Sequence, residues 1–74
     1  MSRLVPLRFE EVVRKLRHLG FEGPIPGGRH ARMIHSDRRQ IIPLPSHGGR
    51  DIGVGLIRSI VRAVGITPDE WSRL

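Results

Sequence analysis

Apolar positions along the chain follow a helical period, then break into short strand-like runs, then return to a helical period. From Phe9, the residues Phe9, Val12, Val13, Leu16 and Leu19 recur at the spacing of one helix face. Glu10 and Glu11 open this helix and Lys15, Arg17 and His18 close it, a charge order that suits the helix dipole. Gly20 stands where a left-handed residue ends a helix. Residues 1–7 form a lead-in, and the face carrying Arg14 and Arg17 reads as solvated surface.

From Phe21 the period shortens. Phe21–Ile25 reads as a strand, and Pro24, Pro26, Gly27 and Gly28 crowd into a turn. Arg29–His35 follows as a second strand, with Ala31 and Met33 on the buried face and His30, Arg32 and Ile34 on the other. Ser36–Arg39 is a polar turn. Gln40–Leu44 is a third short strand with Ile42 in the core, and Pro43 and Pro45 confine it to an edge. Connections this short permit only antiparallel neighbours.

Residues 45–53 form a loop carrying His47, Arg50 and Asp51. Ile57, Ile60, Val61 and Val64 then make the stripe of a second main helix that Gly65 stops, with Arg58 and Arg62 on its solvated side. Thr67-Pro68-Asp69-Glu70 reads as a capping box with proline at the first helical position. It starts a short terminal turn that returns Trp71 to the core. The pattern predicts an α+β domain over residues 1–74, helix, three-stranded antiparallel sheet, helix and terminal turn, with helices on one sheet face and the other face open.

Composition sharpens this picture. Thirteen basic residues against seven acidic give a net charge of +6, which attracts polyanions and points to nucleic acid. Twelve of the thirteen are arginine, the residue suited to bidentate phosphate contacts. No apolar run approaches the roughly 20 residues that span a bilayer and no secretory leader is visible, so a soluble, cytoplasmic protein is expected. The absence of cysteine excludes disulfides and thiolate metal sites.

Candidate chemistry gathers at Gly27–Met33, where two glycines, two arginines and a histidine fall within seven residues. Glycines let a backbone approach a ligand, arginines hold phosphate and a histidine moves protons near neutral pH. The four histidines are scattered without a carboxylate cluster, so no metal site and no cofactor is expected. Ser46, His47 and Asp51 offer the residue types of a nucleophilic triad, but neighbours in one loop rarely point at one centre.

The order of elements and several local matches resemble the HicA toxins of bacterial type II toxin–antitoxin systems. The matching residues are Leu19-Gly20-Phe21 ending the first helix, Gly28-Arg29-His30 entering the second strand, Ile42-Pro43 ending the third, and Gly55-Leu56-Ile57-Arg58-Ser59-Ile60 running into Val64-Gly65-Ile66. The resemblance implies a fold like the double-stranded RNA-binding domain and metal-independent endonucleolytic cleavage of messenger RNA, that is, an mRNA interferase. It also implies a HicB-type antitoxin as protein partner. The family strand carries a Gly-Ser-His motif with a catalytic histidine, which corresponds here to His30. Gly28 matches the motif glycine, Arg29 occupies the serine position, and Ala31 stands where relatives often carry a second histidine. His30 is therefore the expected acid–base residue, with Gly28, Arg29 and Arg32 as substrate-binding residues. The general acid stays open, His35 and His47 qualifying by residue type only. A non-catalytic RNA-binding module of the same fold is the alternative reading, and a protein-interaction domain would leave the charge unused.

Overall fold

The computed structural model describes residues 3–45 and 51–74. Its elements are α1 (Phe9–His18), β1 (Glu22–Gly27), β2 (His30–His35), β3 (Gln40–Pro45), α2 (Val54–Val64) and α3 (Pro68–Ser72). The order and type agree with the sequence pattern. Both long helices follow their apolar stripes: Val12, Val13 and Leu16 of α1 and Ile57, Ile60, Val61 and Val64 of α2 are buried. They share one core cluster with Met33, Ile42 and Leu44 of the sheet and with Phe21, Ile52 and Trp71. Arg32, Ile41 and Pro43 are exposed on the sheet's other face. The result is a two-layer α+β architecture with the helices on one face.

The end of α1 shows why Gly20 is there. Phe21 N–H donates to the Leu16 carbonyl at 3.0 Å and Gly20 N–H to that of Arg17 at 2.9 Å, the paired bonds of a Schellman ending. Gly20 holds φ +97°, and a Cβ there would lie 2.8 Å from Nε2 of His35. His35 also stacks edge-on against Phe21 at 5.1 Å, and its Nδ1 accepts the Arg38 N–H at 3.3 Å. It joins the end of α1 to the β2–β3 turn.

The sheet is antiparallel in the order β1-β2-β3. β2–β3 pairing runs without interruption from His30↔Pro45 to His35↔Gln40. Pro43 and Pro45 alternate along β3 and have no N–H to donate, so they fit an edge strand whose ladder to β2 is carried by the intervening residues. β1 extends further than its composition suggests, because Pro24 and Pro26, expected in a turn, lie within the strand. The same physics explains it: β1 is the opposite edge, where a missing N–H costs no ladder bond. The β1–β2 register shifts between Glu22 and Ile25. There Gly23 takes φ +131° and packs so tightly that a Cβ would meet the Arg32 carbonyl oxygen at 2.7 Å. The Arg17 guanidinium fastens this irregularity to α1, donating to the Gly23 carbonyl from Nε at 2.9 Å and Nη2 at 2.6 Å. Arg17 is thus a brace rather than a purely solvated cation.

Polar side chains close the C-terminal end of α2 and the N-terminal end of α3. Arg38 Nη2 donates to the Val64 carbonyl at 2.6 Å and Gln40 Nε2 to that of Ala63 at 2.7 Å, satisfying carbonyls left unpaired at the end of α2. The capping box of α3 is complete, with Glu70 N–H donating to Thr67 Oγ1 at 3.1 Å and Thr67 N–H to Glu70 Oε1 at 2.9 Å. That second bond, followed by the Thr67 hydroxyl contact, holds the Glu70 carboxyl below its ordinary pKa. Lys15 is 7% exposed. Its ammonium donates to the Trp71 carbonyl at 2.9 Å and lies 5.5 Å from the indole ring, while burial pushes its pKa down. No helix among the described residues is long and apolar enough to cross a membrane.

Candidate nucleic-acid site

The β1–β2 hairpin puts the predicted residues together at its tip. Gly27 pairs with His30, so the loop is only Gly28-Arg29. Gly28 has φ +69° while Arg29 has no positive φ, the arrangement of a type II′ turn, which needs glycine first and matches the strand twist. Arg29, expected as the first residue of the strand, is instead in the turn and exposed. His30 begins β2 and is exposed, as is Arg32. Alternation places His30 and Arg32 on the same outward face, because Ala31 and Met33 between and beyond them are buried.

Gly27 contributes something that spacing alone does not disclose. A Cβ built on it would lie 3.2 Å from Nε of Arg32 and 3.6 Å from Cζ. The Arg32 side chain therefore leans from its own pair with Ile25 toward the next outward position, Gly27, which is the direct partner of His30. The missing side chain at residue 27 lets a guanidinium approach the imidazole's end of the strand. The Gly-Gly sequence signalled a turn, but not that its first glycine clears space for an arginine.

His35 stands apart from this site. His35 ends β2, five steps from His30, a distance of about 17 Å at the strand rise, and is engaged with Gly20, Phe21 and Arg38. It is a structural contact at the far end of the sheet. His47 lies outside the described residues. Asp51 is exposed, and Ser46 is also outside the described residues.

A cavity of about 270 Å³ adjoins His30, bounded by Phe9, Pro24, Pro26, Gly27, Gly28 and Ala31. Phe9, expected in the core, is only half-buried: it packs against the core cluster with one side and lines this cavity with the other. Among the described residues, no group of three or more His, Asp or Glu side chains comes together as a metal site.

This geometry has a counterpart in sequence. Comparison with curated proteins gives no match. A family model described as the HicA toxin of bacterial toxin–antitoxin systems matches residues 9–66, from the first turn of α1 to just beyond α2. The match spans α1, the sheet with its His30 hairpin, and α2 together, and the chain belongs to the HicA toxin family of bacterial toxin–antitoxin systems.

Proposed function

We propose that this toxin is a metal-independent endoribonuclease that cleaves messenger RNA, with His30 as its catalytic acid–base residue. The observation that carries the reading is the exposed His30 at a glycine turn, sharing its outward face with Arg32, in a HicA-family chain. RNA supplies its own nucleophile. Neutral His30 takes the proton of a 2′-hydroxyl, the 2′-oxygen bonds to the adjacent phosphorus, and the bond to the 5′-oxygen breaks. The departing oxygen takes a proton from water, and the fragments end in a 2′,3′-cyclic phosphate and a 5′-hydroxyl. Arg32 faces the charge that develops on the phosphorane. Arg29, one residue before His30 and in the turn, attracts a neighbouring phosphate, and the open backbone at Gly28 admits it. The family's membership in toxin–antitoxin systems supports an antitoxin partner. A HicB-type protein that covers the hairpin tip with acidic groups excludes RNA and stabilises the toxin by binding its folded form.

The test is cleavage of RNA in the presence of a chelator by the wild type and His30→Ala. The expected loss is on the order of 100- to 10,000-fold, the range for a removed general base, with cyclic phosphate ends in the wild-type products. Equal cutting by both proteins removes His30 from the mechanism. Binding without cutting by the wild type turns the reading to a non-catalytic RNA-binding module.

A further inference from the structure

The cavity beside His30 does not end at the hairpin. A larger one, about 440 Å³, lies along α1 against Val13, Arg14, Arg17 and His18, and shares Phe9 and Pro24 with the first. The two adjoin at Phe9 and Pro24 along the β1 border, and together they make a groove whose smaller part reaches the hairpin tip at His30. It exists because α1 starts at Phe9 and leaves the inward face of the hairpin tip bare. Pro26 pairs with buried Ala31 across the ladder, yet is itself exposed. The floor is apolar, and the rim on α1 is mostly cationic.

Resting on the ribonuclease reading, we infer that this groove, on the inward side of the hairpin tip, binds the single-stranded RNA that passes round the tip from the phosphate at His30, with one base against Phe9 and Pro24. A base can lie on an aromatic or proline face only when it is unstacked from its own helix, which selects a single strand over a duplex. Charge complementarity favours a polyanion over a neutral or basic peptide. Glu10 borders the larger cavity and Arg14 shares its charge with Glu11 at 2.9 Å, so the phosphates run on the Arg17 and His18 side. Arg17 spends Nε and Nη2 on the Gly23 carbonyl, which fixes the guanidinium at the groove. Electrostatic hold on the α1 rim is thus modest and stacking on Phe9 carries much of the affinity. Every base has a face to stack, so the preference among bases is weak.

The experiment uses the full chain and a fluorescent single-stranded oligonucleotide with 2′-O-methyl groups, which cannot undergo 2′-hydroxyl attack. Binding is compared for wild type, Phe9→Leu and Arg62→Ala, a cation on exposed α2 surface, with the thermal midpoint of each measured alongside. Phe9→Leu is expected to weaken binding on the order of tenfold, the value of one stacked base, and Arg62→Ala much less. Because Phe9→Leu can loosen α1, 5-iodouridine crosslinking on the wild type supplies a second readout, with adducts expected at Phe9 or His18. Unchanged affinity in Phe9→Leu, an equal loss in Arg62→Ala, or crosslinks confined to other residues overturns the groove and leaves it to a protein contact. The two readings fail separately. Cleavage that persists with crosslinks elsewhere sinks the groove alone, whereas binding through Phe9 without cleavage in the chelator assay sinks the ribonuclease reading alone.

Discussion

At the residue scale, the candidate site depends on a side chain that is missing. Arg32 and His30 are two residues apart, and their outward direction follows from alternation, but the lean of Arg32 depends on Gly27 having no Cβ. Alanine there meets only the flexible end of an arginine at 3.2 Å, which a small movement relieves. Valine branches into the same space, also suits an extended backbone, and displaces the guanidinium. Gly27→Val is therefore expected to lower kcat for RNA cleavage by roughly tenfold or more while leaving the hairpin paired, since displacing a charge-stabilising donor costs less than removing one outright, a loss of about 100- to 1,000-fold. Single-turnover kinetics with Arg32→Ala in the same series checks the route. If Arg32 is the means, Gly27→Val adds nothing in the Arg32→Ala background; a full additional loss there shows that Gly27 acts through the turn instead.

At the element scale, α3 has only five residues and is too short to persist on helix propensity alone. Its capping box and the burial of Trp71 hold it. Loss of the Thr67 cap in Thr67→Ala is expected to cost about 1 kcal/mol. The Glu70 carboxyl is held below its ordinary pKa by the Thr67 N–H, so the sign of its pH effect is fixed. The stabilisation is fully present above the ordinary carboxylate pKa and disappears as pH falls through the lowered folded value. Denaturant melts followed by Trp71 fluorescence should show Glu70→Gln less stable than wild type at neutral pH, with the difference closing in that acid window. A difference that stays constant with pH would assign the effect to packing. This box was legible in four consecutive residues because capping is local chemistry, as were the stripes of α1 and α2 and the stop at Gly20. β1 was not, because prolines that signal a turn by composition are tolerated on an edge strand, and edge position is a property of the finished sheet. The half-buried state of Phe9 was hidden for the same reason: the apolar stripe of α1 shows which side faces inward, not where the sheet beneath it ends.

At the scale of the whole molecule, a charge of +6 overstates what RNA can meet. Lys15 is buried against Trp71, Arg14 is paired with Glu11, and Arg17 and Arg38 donate to the carbonyls of Gly23 and Val64. At least four of the thirteen basic residues are thus tied to partners within the fold, which a residue count cannot reveal. Cations that contact phosphate and cations that brace the fold are separated by salt. Each phosphate contact to a single strand adds about 0.7 to the slope of log affinity against log salt, while a guanidinium bound to a carbonyl adds little to it. Arg32→Gln is expected to reduce that slope by about 0.7 with little change in stability, since its side chain is exposed. Arg38→Gln is expected to leave the slope nearly unchanged and to lower stability by about 1.5–3 kcal/mol, the range for a hydrogen bond to a charged group. Titrating a 2′-O-methyl oligonucleotide at several salt concentrations, beside denaturant melts of the same proteins, reads both quantities. Equal slopes for wild type and Arg32→Gln would take Arg32 off the RNA path. A slope that falls in Arg38→Gln without loss of stability would mean that its bond to the end of α2 gives way to phosphate when RNA binds.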